Sequence, residues 1–298
     1  MGAVTGHGVA RRFRGGLLHL AAGIDQTGSF DAGSYLELAL LAERGGLDFV
    51  TLDDSFDRSG PDALAVLCRV APATRRIGLV PMASTTHTEP CRARAAGVAT
   101  LDWVSGGRAG WRIGASADLA DGWESPQGRP VRVLDASEEH SRGVAARCAD
   151  VALVRAATSD QAGAVRDELR ERAAASGRGP DALRVLVSLL IDLGDGEYAA
   201  EPGYGGGGTR PTARGPLYRG GPVDLAELVA AWHAEGAVDG FHLVPVEPRR
   251  DLERLVNGTV ALLQHRGLFR TFYPGSTLRD HLGLARSVQR YAVSGGTS

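Results

Sequence analysis

The sequence predicts an α/β fold, a (β/α)8 barrel. Short apolar runs alternate with longer stretches of helical spacing, the pattern of a mostly parallel sheet. Eight such runs fall between Leu17 and Val244, and eight strands close into a ring with no unpaired edge. The chain has 298 residues, a length at which α/β barrels run as a single domain.

Leu17–Ile24 reads as the first strand, and Ala32–Gly45 as the first helix, with Leu36, Ala39 and Leu40 near helical spacing. Phe49–Leu52 and Ile77–Met82 are the second and third strands, each followed by a helical stretch, Asp62–Ala71 and Pro90–Val104. Ser105-Gly106-Gly107-Arg108 then turns the chain into a fourth strand, Gly110–Ala115. Val131–Leu134, Val151–Val154, Arg184–Leu193 and Phe241–Val244 complete the eight. Their helices are Glu138–Ala149, Asp160–Ser176, Leu225–Glu235 and Leu252–Arg266.

Two segments break the alternation. Only Ala117–Arg129, ADLADGWESPQGR, separates the fourth and fifth strands. It lacks an apolar period and the room for a crossover helix, so the fourth helix is expected to be missing. Residues 194–222, rich in Gly and Pro, are expected to form a loop after the seventh strand, either a lid over the functional face or a plain linker. Residues 1–15, with Arg11, Arg12 and Arg14, are expected to be a disordered leader, and 266–298 a C-terminal tail. The basic start has no apolar core of a signal peptide.

Composition narrows the function. Hydrophobic residues make up 43%, enough for a sizeable core, and no run approaches the roughly 18 apolar residues of a membrane span. A net charge of −2 gives no field for nucleic acid. Every basic side chain is Arg, so lysine Schiff-base chemistry is excluded. Cys68, Cys91 and Cys148 are far apart, as expected of reduced thiols in a cytoplasmic protein. No HExxH, GxSxG or phosphate-loop motif is present, and no metal site is expected.

In parallel α/β folds ligands bind at the carboxyl ends of the strands. Asp53 and Asp54 end the second strand, and alternation lets only one of them face inward. The third strand ends in Met82 and the hydroxyl-rich Ser84-Thr85-Thr86-His87. His87 is a candidate acid-base group at neutral pH. Arg112 on the fourth strand shares a side with Gly114 and can pair with an anion or a carboxylate. After the fifth strand, Ala136 and Ser137 precede a helix start, where anions are favoured, although Glu138 and Glu139 add negative charge. His19 alternates with Leu18 and Leu20 and reads either as pocket-facing or as a satisfied core residue; His233 and His265 read as surface.

Three separated blocks resemble one family. IGLVPMASTTHTEP with LDWVSGGRAGW (77–111), LAERGGLDFVTLDDSF (41–56) and RGLFRTFYPGSTLRDHLGL (266–284) are similar to the bacterial luciferase-like flavin monooxygenases, in the nitrilotriacetate and dibenzothiophene-sulfone monooxygenase branch. The resemblance implies a luciferase-like barrel shortened between strands four and five, where that branch carries a long insertion. It implies an enzyme that oxidises a small organic molecule with reduced FMN supplied by a flavin reductase; related barrels use F420. By alignment Asp54 matches the strand-two motif, so Asp54, His87 and Arg112 are the implied catalytic residues, with Ser84, Thr85, Ser137 and Ala136 at the flavin. Ser137 is kept, while Asp135 and Ala136 depart from the Gly-Ser-Ser turn that holds the phosphate. Tyr273, Ser276, Thr277, Arg279 and His281 match the tail that folds back over the barrel. A homodimer is implied. The departures leave two alternatives open: a cofactor-independent isomerase, cyclase or lyase that has lost flavin binding, and a non-catalytic partner subunit.

Overall fold

The computed structural model describes residues 17–26, 31–53, 61–82, 91–113, 125–194 and 208–286. Ten strands are present among them: β1 (His19–Gly23), β2 (Phe49–Leu52), β3 (Gly78–Pro81), β4 (Gly110–Ile113), β5 (Val131–Asp135), β6 (Val151–Val154), β7 (Arg184–Asp192), β8 (Thr209–Thr212), β9 (Gly215–Arg219) and β10 (Gly240–Pro245). Eight form the barrel in the order β3-β2-β1-β10-β7-β6-β5-β4. Every neighbouring pair is parallel. Parallel bridges Leu79–Ala109 and Met82–Arg112 close the ring between β3 and β4, and the Leu79 N–H donates to the Arg108 carbonyl at 2.9 Å. The (β/α)8 barrel read from the sequence is the observed fold.

Helices α1 (Ala32–Arg44), α2 (Ala63–Val70), α3 (Cys91–Ser105), α4 (Glu139–Cys148), α5 (Ser159–Ala175) and α6 (Pro222–Ala234) surround the strands. The last long helix runs from α7 (Pro248–Arg254) through a π-helical segment, Leu255–Val260, into α8 (Ala261–His265). A short α9 (Leu278–His281) lies in the tail. Side-chain oxygens cap several starts: Asp31 for α1, Asp62 for α2, Thr158 for α5, and a reciprocal Thr277–Asp280 box for α9.

Alternation along each strand divides the core in two. Leu18, Leu20, Ala22, Ile24, Val50, Leu52, Trp111, Ile113, Phe241 and Leu243 pack outward with the helices. Ala21, Phe49, Val80, Val131, Val133, Val151, Leu153 and Leu186 fill the barrel interior, joined by Leu278, Leu282 and Leu284 of the tail. The tail therefore closes the floor, at the amino ends of the strands. Arg279, 2% exposed, donates to Asp150 Oδ2 at 2.8 Å. Arg270 donates to Asp48 Oδ1 at 2.9 Å, and the Tyr273 hydroxyl donates to the Leu47 carbonyl at 2.9 Å. The folding-back expected of Tyr273, Thr277, Arg279 and His281 is what the chain does.

The short connection after β4 also reaches the floor. Seventeen residues separate Ile113 from Val131, and no helix lies among the described ones, 125–130. There Gln127 is fully buried, its Nε2 donating to Asp102 Oδ1 and to the Ala109 carbonyl, both at 2.7 Å. Two expectations need correction. Residues 194–222 are not loop throughout: β8 and β9 form an antiparallel hairpin. β7 is long enough to pair with β6 over Arg184–Val187 and with β9 over Leu190–Asp192, so the hairpin continues the wall above β6. His233 is not at the surface; it is 6% exposed on α6.

Candidate active site at the barrel mouth

The parity that fills the interior with Ala21, Phe49, Val80, Val133, Leu153 and Leu186 continues up each strand. It brings Asp25, Thr51, Asp53, Met82, Asp135, Arg155 and Ser188 to the inner side. Outward packing of Trp111 and Ile113, and of Phe241 and Leu243, turns Arg112 and His242 inward as well. Polar side chains thus gather at the carboxyl end of the barrel, above an apolar middle.

Arg112 is central. Its Nη1 lies 2.5 Å from Asp53 Oδ1 and its Nη2 3.8 Å from Asp135 Oδ2. Arg155 Nη2 is also 3.8 Å from Asp135 Oδ2. The Asp53 N–H donates to Asp25 Oδ1 at 2.7 Å. Burial and the Asp53 charge push the Asp25 carboxyl up to about 6, against the opposing effects of the Asp53 N–H and Arg112. Gly23 makes room for that carboxyl: a Cβ there would stand 3.3 Å from Asp25 Oδ2 and 3.3 Å from Val244 Cγ1.

Below this layer a buried imidazole joins two strands. Thr51 Oγ1 and His242 Nε2 are 2.8 Å apart, and Ser188 Oγ and His242 Nδ1 3.1 Å apart. Each ring nitrogen shares a proton with a hydroxyl, which rotates to suit the tautomer. Burial, reinforced by the nearby Arg112 cation, pushes His242 down to about 3, so the ring is neutral.

The residues expected at this site fare differently. Arg112 faces the mouth. The strand-two carboxylate that meets it is Asp53, because Phe49, Thr51 and Asp53 share the inner side; Asp54 lies outside the described residues. So do Ser84, Thr85 and His87. The amides expected to hold a phosphate are already used. The fully buried Ala136 donates its N–H to the Leu153 carbonyl at 2.7 Å, and the Ser137 N–H donates to Asp135 Oδ1 at 2.9 Å. Asp135, standing where the expected turn has a small residue, closes that loop onto itself. Among the described residues the Ser137 hydroxyl and Arg112 Nε are buried without a hydrogen-bond partner.

His19 and His281 belong to the floor. His19 Nδ1 is 3.2 Å from Asp48 Oδ1, and the His281 ring lies 4.7 Å from that of Tyr273. Asp25, Thr51, Arg155, Ser188 and His242 were not singled out from the sequence. Extending the alternation past each strand end is the signal that finds them. No group of three or more His, Cys, Asp or Glu able to hold a metal occurs among the described residues.

A closed parallel barrel with charged and hydroxyl side chains at its carboxyl rim is the architecture of a barrel enzyme. The model of the luciferase-like monooxygenase family matches residues 13–125. The chain is 26% identical to N-acetyl-S-(2-succino)cysteine monooxygenase of Bacillus subtilis (strain 168), over 87% of this chain and 91% of that protein. It is 26% identical to nitrilotriacetate monooxygenase component A of Aminobacter aminovorans, over 85% of this chain and 90% of that protein. The first alignment spans 402 positions, more than the 298 residues here, so that relative carries segments this chain lacks. Among solved structures, EDTA monooxygenase from Chelativorans sp. BNC1 superposes with a TM-score of 0.76 at 19% identity, covering 91% of this chain and 99% of that one. The luciferase-like resemblance, the luciferase-like barrel and the expectation of an enzyme are borne out. No described helix is long and apolar enough to cross a membrane.

Proposed function

We propose that this chain is a flavin-dependent monooxygenase-like oxidoreductase acting on a small organic molecule in the barrel mouth, with reduced FMN supplied by a partner reductase. The observation that carries the reading is the set of side-chain donors around Asp135. Arg112 Nε and Ser137 Oγ are buried without partners among the described residues, and Arg155 is half-exposed. These donors fit an anionic group such as the flavin phosphate, in place of the occupied amides of Ala136 and Ser137. When bound, the reduced flavin supplies the electrons that activate oxygen. Arg112 and Arg155 anchor and orient; Asp53 and Asp135 hold the two guanidinium groups in place. The β8–β9 hairpin shields the end of β6, with the Thr209 hydroxyl donating to the Ala157 carbonyl. His87 for proton handling, and Ser84, Thr85 and Asp54 at the flavin or substrate, complete the proposal, as do a homodimer and a cytoplasmic location.

Likeness to proteins named as monooxygenases supports the chemistry, and the component A name of one relative supports a separate reductase. Titration of the purified chain with FMN, reduced FMN and F420 tests it. Binding of reduced FMN, weakened at least tenfold in both Ser137→Ala and Arg155→Gln, is the expected result. The spent amides and the adjacent Glu138 and Glu139 favour a second reading, a cofactor-independent enzyme using Arg112 and the mouth carboxylates directly. Absence of flavin binding would select it.

A further inference from the structure

Three strand ends that are distant in sequence meet at one carboxyl pair. Asp25 follows β1, Asp53 follows β2, and Arg112 lies on β4. The Asp53 main-chain N–H fixes Asp25 Oδ1 at 2.7 Å, while the Asp53 side chain turns to Arg112 at 2.5 Å. Asp25 Oδ2 folds back over Gly23, beside Val244, where a Cβ on residue 23 would crowd it at 3.3 Å. Asp25 is therefore held by a backbone donor, and no ion pair to it closer than 4 Å occurs among the described residues.

We propose that Asp25 is the carboxyl that holds and exchanges a proton for the ligand bound in the mouth, with Asp53 and Arg112 as its positioning residues. The proposal deepens the function proposed above and rests on it for the identity of the reaction. Its physical basis is a deficit of positive charge. Among the described residues Arg112 and Arg155 pair with Asp53 and Asp135, while Asp25 accepts the Asp53 N–H. Three carboxylates against two guanidinium groups leave one carboxyl uncompensated in a partly dry site, and the uncompensated one holds its proton more tightly than an ordinary carboxyl. The other titratable groups nearby do not compete for that role. Tyr35 on α1 is raised by burial and by the Asp25 charge, and His242 on β10 is held neutral. A carboxyl titrating near 6 suits exchange at neutral pH.

The test needs neither flavin nor substrate, so it fails or succeeds separately from the proposed function. The full chain labelled with 13C at aspartate carboxyls is titrated by NMR. One resonance is expected to titrate near pH 6. It should vanish in Asp25→Asn, which keeps an acceptor for the Asp53 N–H. It should move down by about one pH unit in Asp53→Asn and up by a similar amount in Arg112→Gln. If Asp25→Asn does not fold, the opposite shifts in the other two variants still decide the matter. No aspartate titrating above about pH 5, or one whose midpoint ignores both Asp53→Asn and Arg112→Gln, would overturn the proposal.

Discussion

Arg112 Nη1 lies 2.5 Å from Asp53 Oδ1, tying the ends of β4 and β2 together across β3, at the seam where the ring closes. Among the described residues two bridges pair the backbones at that seam, and the side-chain tie adds to closure. The Arg112 side chain is 14% exposed and that of Asp53 42%. Solvent screens the pair in part, and Arg112→Gln is expected to cost about 1 kcal/mol in urea unfolding. Arg112→Lys should not recover it, because one planar fork serves both Asp53 and Asp135. Full recovery by Lys would contradict that geometry.

Two buried histidines give the fold an acid limit. His242 falls from 6.5 to about 3 and His281 from 6.5 to about 4, both chiefly through burial. Between those values the unfolded chain binds protons that the folded one refuses. Their contribution to stability is therefore full above pH 6.5 and is lost as pH falls. His242→Gln is expected to flatten the acid limb of stability against pH by up to about 1.4 kcal/mol per unit. Denaturant melts at several pH values read this directly.

Asp25 works in the opposite direction. Its folded value of about 6 lies above 3.8. Stability from this group is present below pH 3.8 and disappears as pH rises through 6. Asp25→Asn should thus gain on the parent chain over that interval, in the same melts.

The floor is expected to be costly to disturb. Leu278 is fully buried among barrel residues, and Leu278→Ala should cost about 2–5 kcal/mol. Arg279 and Asp150 are 3% and 4% exposed at their side chains, so Arg279→Ala, which leaves Asp150 buried, should cost about 3–5 kcal/mol. Thermal unfolding that left either variant unchanged would remove the tail from the core.

Glycines separate close approach from mere tolerance. A Cβ on Gly240 would lie 2.0 Å from the His19 carbonyl oxygen, inside the β1–β10 pairing, and Gly240→Ala should abolish soluble expression. Gly163 in α5 has only Ala237 nearby, at 3.8 Å, so Gly163→Ala should add about 0.5–1 kcal/mol. Expression yield and melting temperature check the pair.

Element order was legible because apolar periodicity is local: each strand and its helix announce themselves within some tens of residues. Arg112 was found the same way, from its own strand. The β8–β9 hairpin was hidden by Gly and Pro, because β9 is held by the overhang of β7, a long-range pairing that no local pattern encodes. The mouth was legible only in part. Asp25 and Asp53 are 28 residues apart and Asp53 and Arg112 59 apart.

By itself, then, the chain's residue pattern determined the parallel alternation, the returning tail and the likeness to luciferase-like barrels. Tertiary structure alone decided that Asp53 is the strand-two carboxylate meeting Arg112, that the Ala136 and Ser137 amides are spent, and that His242 is neutral. The physical reason is that each of these depends on which strand ends the ring brings together and on how much water it leaves there. Charge state and hydrogen-bond partner are properties of that shared space, and ring closure creates it.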